Sequence, residues 1–228
     1  MEAYRMFHLM VKDIYTQRVS AYLAPLLLLL YFITAGNDVT GSEFMGIVLC
    51  GTGIGFIAYY MIIASNFNTN EGDKWNNRLL ISLPVTRRSM ILSKYLMILI
   101  WWVFAYISST VLILFLNSIL NFHLLTPLSI ETGIMSLCLS IFLSSIFYPI
   151  FFRFGYRVAS MVGIGLFFAI MIATGTFISW QKMNLQKSVP EVIRFSFDHP
   201  VIPLIILTLL VSLISYFLST HIFEKKEF

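Results

Sequence analysis

Apolar residues run along this chain in long blocks, broken by short segments that hold almost all of its charge. A helix needs about 20 mostly apolar residues to cross a hydrocarbon core. Six blocks meet that length within a few residues: 19–35, 44–65, 94–117, 132–152, 158–179 and 200–221. They take up well over half of the chain and leave no room for a separate soluble domain. The pattern predicts an all-α membrane protein, one domain over residues 1–228, with six transmembrane helices. Ahead of the first block, Met6, Phe7, Leu9, Met10 and Ile14 fall on one side of a helix and Arg5, His8, Lys12 and Asp13 on the other. Residues 1–18 therefore read as an amphipathic helix lying in the membrane interface.

Composition agrees with that reading. Hydrophobic residues make up 58% of the chain and charged residues 11%, against about a quarter charged in ordinary soluble proteins. The first residues lack the apolar core and small-residue cleavage site of a signal peptide. Cys50 and Cys138 both fall inside apolar blocks and read as buried thiols, with no metal or disulfide frame.

The basic residues set the orientation, because Lys and Arg near span ends stay on the cytoplasmic side. With both termini cytoplasmic, the 15 Lys and Arg divide twelve inside to three outside, the outer ones being Lys182, Lys187 and Arg194. This bias accounts for the net charge of +4 without any nucleic-acid partner.

Carriers driven by ion gradients usually hold ionisable residues within their spans. Here the span interiors have none, and Glu43 and Glu131 sit at span ends on the outer side. The polar content is small and neutral. Ser136, Ser140 and Ser144 stack along one face of the fourth span, and Gly51 and Gly55 form a GxxxG face on the second. Small residues at this spacing let helices approach closely in lipid; a serine stripe that lines a substrate path is the sharper alternative. No H-E-x-x-H zinc pair, G-x-S-x-G nucleophile elbow or phosphate-binding loop is present. The chain is accordingly read as no enzyme, without catalytic, cofactor-binding or metal-binding residues.

Two inner segments carry the candidate chemistry. In the loop 66–93, Trp75, Leu79 and Leu83 share one helical face, while Glu71, Asp73, Lys74 and Arg78 stay mostly off it. Asp73 stands where an N-cap would help, and Pro84 ends the helix by restricting the residue before it. Thr86 is then placed to cap the long third span. Arg87 and Arg88 fall in the first turn of that span, where the helix dipole disfavours cations by roughly 0.3–1 kcal/mol. Either anionic lipid headgroups or an acidic surface on a docked protein would favour them there. The second segment, FYPIFFRFGYRVAS (147–160), has Pro149 near the end of the fourth span, and Arg153 and Arg157 around a tight turn at Gly155. On the outer side, residues 180–199 carry Trp180 at the interface and a capping box, Ser188 to Glu191, that starts a short amphipathic helix.

The run from the acidic start through Trp75 to LLISLPVTRRSMILSKYL resembles the cytoplasmic loop of type-2 ABC transporter permeases. It is most similar to the small six-span bacterial branch that includes exporters of antimicrobial or toxic peptides, the phenol-soluble modulin exporter among them. PIFFRFGYRVAS, 149–160, is similar to the second inner loop of that branch, with a departure at Ala159–Ser160, where a further basic residue is expected. The resemblance implies two permease chains paired in the membrane, as a homodimer or a related heterodimer, each docked to a separate cytoplasmic ABC ATPase that binds ATP and Mg. No cofactor is implied in this chain. The loop between spans two and three would act as a coupling helix. The coupling positions are then Glu71, Asp73, Trp75, Arg78, Leu79, Leu83, Pro84, Thr86, Arg87 and Arg88, with Arg153, Gly155 and Arg157 as a second contact.

Together these readings favour the membrane subunit of an ATP-driven exporter in the cell membrane, bound by lipid and moving amphipathic peptide, drug or lipid-like cargo. The alternative is a non-transporting sensor or assembly subunit that docks a cytoplasmic partner.

Overall fold

The structure is a computed structural model that describes residues 10–11, 13–14, 24–26, 43–66, 86–120, 129–184 and 201–225. Within these residues there are five long helices and no strand. We number them α1 (Glu43–Ser65), α2 (Arg87–Leu120), α3 (Ile130–Phe154), α4 (Tyr156–Asn184) and α5 (Val201–Lys225). A short 3-10 turn, Ala24–Leu26, lies against α1 and α2. Of the expected first span, 19–35, only that turn falls among the described residues.

Four of the helices are long and apolar enough to cross a membrane, namely Gly46–Ser65, Arg88–Phe115, Ile130–Phe154 and Pro203–Lys225. Tyr156–Ile170 adds a shorter apolar stretch within the 29 residues of α4. The helices outrun the expected blocks, α2 most of all at its start. At 1.5 Å per residue, the 34 residues of α2 extend about 51 Å, against a hydrocarbon core of about 30 Å. Its excess includes the first two turns, with Arg87, Arg88 and Lys94.

α3 sits in the middle of the bundle and packs against all four other helices. Its deepest partner is α1, which is apolar on every side and buried on nearly every side, as such a helix must be when protein rather than lipid surrounds it. Lipid tails are as apolar as leucine, so close packing rather than hydrophobic exclusion holds such helices together. The GxxxG face supplies it. A methyl placed at Gly51 would meet Met135 at 3.2 Å, whereas at Gly55 it would meet Leu139 at 3.0 Å and the backbone oxygen of Ser136 at 3.1 Å. Met135 and Leu139 are one turn apart, so two adjacent side chains of α3 seat over two glycines of α1.

The serine stripe faces the same interior. Ser136, Ser140 and Ser144 are fully buried, and each donates to a carbonyl of its own helix, those of Gly133, Leu137 and Ser140. Ser136 also accepts a hydrogen bond from Trp102 Nε1 at 2.9 Å. The stripe therefore serves helix packing. The remaining core is aromatic: Phe56 meets Phe167 edge-on at 4.6 Å, and Phe147 packs against Tyr59 and stacks on Phe151. Cys50 and Cys138 are free and buried.

Gly163 of α4 marks the tightest approach. A methyl there would lie 2.4 Å from Tyr59 Oη. Tyr59 is 2% exposed, its ring is held against Phe147, and its hydroxyl has no hydrogen-bond partner among the described residues. The hydroxyl is thus both the obstacle and a burdened group. We expect Gly163→Ala to lower stability by about 1–3 kcal/mol through overpacking. Tyr59→Phe should be neutral or stabilising and should restore the Gly163→Ala chain. Thermal unfolding of the four chains in detergent checks this, and a Gly163→Ala loss that Tyr59→Phe leaves unchanged would refute it.

Candidate functional site

The expected coupling positions Glu71, Asp73, Trp75, Arg78, Leu79, Leu83 and Pro84 lie outside the described residues. So do most of the interfacial segment 1–18 and the outer loop beyond residue 184. Thr86, Arg87, Arg88, Arg153, Gly155 and Arg157 are described, and the structure brings them to one end of the bundle. Arg88 at the start of α2 pairs with Glu224 at the end of α5, and Phe152 near the end of α3 packs on Phe223 of α5 at 5.4 Å. The rim of this basic end carries Arg88, Arg153, Arg157 and Lys225, all exposed.

Thr86 caps α2 as its position predicts. Its carbonyl accepts from Met90 N, its Oγ1 lies 2.7 Å from Ser89 Oγ, and Ser89 N points at the same Oγ1 at 3.4 Å. The puzzle of a cation in the first turn of a helix has an answer within the chain. Arg88 Nε donates to Glu224 Oε1 at 2.9 Å, and Glu224 is itself an acid in the last turn of α5, where the dipole disfavours it. Each charge stands at the wrong end of its own helix and is offset by the other. Both side chains are largely exposed, so water screens the pair and it is readily exchanged.

At the second predicted segment, Gly155 joins α3 to α4 as a single residue. Its φ of 85° and ψ of 179° belong to a region open essentially to glycine alone. Its N–H donates to Phe151 O and its carbonyl accepts from Ala159 N, so one residue ends one helix and begins the next. Arg153 lies with its guanidinium 5.0 Å over the Phe154 ring. Ala159 is fully buried. A basic side chain has no water-facing place there, which accounts for the departure from the expected pattern at that position.

Residues that the sequence reading did not single out tie this end together. Lys94 Nζ of α2 donates to Asp13 Oδ2 with both side chains only 19% exposed. Met10 and Ile14, on either side of Asp13, pack on the bundle core. At these positions the amino-terminal segment rests on protein, where an amphipathic pattern alone pointed to lipid. Tyr148 of α3 donates to the Lys94 carbonyl at 3.0 Å, and its ring lies 5.1 Å from that of Tyr95. Tyr95 Oη in turn meets Ser215 and Ser219 of α5. One signal was legible beforehand: Ser215 and Ser219 are four residues apart and so share one face of a mostly apolar helix. Among the described residues no group of three or more His, Cys, Asp or Glu could hold a metal ion.

A family model described as "ABC-2 family transporter protein" matches residues 8–224, nearly the whole chain. The chain belongs to the ABC-2 family of transporter proteins. No curated protein and no solved structure gives a significant match. As an ABC-2 protein the chain is a membrane permease of an ABC transporter, a multi-pass protein of the cell membrane. Membership implies a separate ABC ATPase subunit as its partner.

The Asp13–Lys94 pair gives a direct test of how this ABC-2 permease holds its amino-terminal segment. Hydrogen bonds to charged groups are worth about 1.5–3 kcal/mol. Asp13→Lys should raise hydrogen exchange at residues 10–14 by a factor of about ten or more, and adding Lys94→Asp should return it towards the starting value. Equal exchange in all three chains would show that the pair does not hold the segment.

Proposed function

We propose that the chain is the permease of an ATP-driven exporter of the small six-span branch, oriented with its basic end and both termini in the cytoplasm. Carrying this reading is the convergence, on one end of an ABC-2 bundle, of Thr86 and Arg88 with Arg153, Gly155 and Arg157. These residues belong to the two segments whose sequence resembles the inner loops of such permeases. The ATPase would dock on residues 71–83 and on the rim of basic side chains. Its closure on ATP would then pull directly on the first turn of α2.

Two features favour amphipathic peptide, drug or lipid-like cargo. The described core has no ionised side chain between its two ends, and the serine stripe is fully buried and turned to its own helix carbonyls. Cargo would therefore travel along an apolar outer face, between this chain and a second permease chain, rather than through the middle of one bundle. α4 and α5 offer such faces, with Met161, Ile172, Ile214 and Phe217 each about two-thirds exposed.

Purification of the chain from its native membrane in mild detergent should bring down a stoichiometric ATPase. In that complex, Trp75→Ala with Arg87→Glu should keep ATP hydrolysis within about twofold while cutting export per ATP at least about tenfold, a change of 1.4 kcal/mol in coupling. An ATPase rate stimulated by a cationic amphipathic peptide and not by a sugar would support the cargo class. A chain that purifies alone, or a double variant with unchanged export, would overturn the proposal.

A further inference from the structure

Pro149 has no N–H, so within α3 the carbonyl four residues earlier, that of Ser145, loses its helical donor. Nevertheless α3 runs on through Pro149 to Phe154. In a membrane interior such a carbonyl must be satisfied by protein. Ser215 Oγ of α5 lies 2.6 Å from Ser145 O, and Ser215 and Ser145 are 4% and 2% exposed. A serine hydroxyl has one proton. Since Ser215 gives that proton to Ser145, its bond with Tyr95 must run from the tyrosine hydroxyl. Tyr95 Oη then accepts from Ser219 Oγ at 3.2 Å. The bonds therefore have one direction, from Ser219 to Tyr95 to Ser215 to the Ser145 carbonyl, and join α5, α2 and α3.

We propose that α3 contains a hinge at Ser145–Pro149 whose angle is set from outside the helix, by Ser215 and through it by Tyr95. At an ordinary position, bending a helix breaks one of its own bonds. Here that bond is absent, so the turn can change angle at little expense, provided Ser215 keeps hold of the carbonyl. Tyr95 stands two turns into α2 from Arg88, and its ring packs on Tyr148 at 5.1 Å and on Tyr216 at 5.7 Å. A displacement of the start of α2 would therefore reach the turn of α3 that carries Pro149, and with it the Gly155 joint. Ser215 and Tyr95 are positioning residues in this scheme. Its role in transport rests on the permease reading, whereas the bonding scheme does not.

The test has two parts. In the first, thermal unfolding of the purified full chain is measured for wild type, Ser215→Ala, Pro149→Ala and the double variant. Ser215→Ala should lower Tm by about 3–8 °C, as expected when a buried carbonyl is left unpaired in a chain of this size. In the Pro149→Ala background, where α3 can supply its own N–H, the same change should shift Tm by about 1 °C or less. Ser215→Thr, which keeps the hydroxyl, should hold Tm near wild type and serves if Ser215→Ala does not fold. An equal fall in both backgrounds would overturn the assignment of Ser215 to the carbonyl that Pro149 leaves open.

In the second part, spin labels at Phe154 and Ile107, both exposed, are measured in the complex with its ATPase, in a chain with Cys50 and Cys138 replaced by Ala. Trapping with ATP and vanadate should shift their separation in wild type, and the shift should be lost in Pro149→Ala. A shift of the same size in Pro149→Ala, or no shift in a wild-type complex that hydrolyses ATP, would overturn the hinge. Failure to find any ATPase partner would instead remove the exporter reading and leave the thermal result as it stands.

Discussion

Nothing inside this bundle can turn to water, so a buried polar atom is stable there only when another part of the protein answers it, and the Tyr59 hydroxyl is one that goes unanswered among the described residues. That constraint organises α3, the helix with most neighbours. Three of its serines answer to carbonyls of the same helix, and their small size lets α1 lie close. Where α3 holds a proline, the unanswered carbonyl is answered from α5. Where α3 ends, a glycine with positive φ closes the last turn and opens the next helix with its own backbone. The polar atoms of the interior thus locate its joints.

Charge follows a related logic at the basic end. Arg88 and Glu224 each oppose the dipole of their own helix, yet α2 and α5 run antiparallel there, and the two misplaced charges meet. Asp13 and Lys94 meet under more cover and hold the amino-terminal segment against the core. One pair is wet and exchangeable, the other mostly dry. An incoming acidic protein surface would compete with Glu224 for Arg88 far more easily than it could dislodge Lys94 from Asp13.

Much of the architecture was legible in the sequence because the membrane imposes a length and a composition on each helix. α1, α3 and α5 stand within a few residues of their expected blocks, and Thr86, Gly155 and the GxxxG face do locally what their residue types suggest. The cross-helix contacts were not legible. That Ser215 would answer Ser145, or Glu224 Arg88, depends on which helices become neighbours. Residues 70 and 136 positions apart in the chain carry no periodic signal of meeting. The absence of the basic residue that the resemblance leads one to expect at Ala159–Ser160 was not explicable beforehand for a like reason: only the packing of α4 shows that Ala159 turns inward.

The link between α3 and α4 sets a limit on how those helices can move. One residue of extended chain spans at most about 3.6 Å, whereas one helical turn advances 5.4 Å. Two helices tied by Gly155 alone therefore cannot slip past each other by a turn, as neighbours joined by longer loops can. Whatever lifts or lowers α3 along the membrane normal must carry α4 with it, and the lipid-facing side of α4 rises and falls with a helix that lipid scarcely touches.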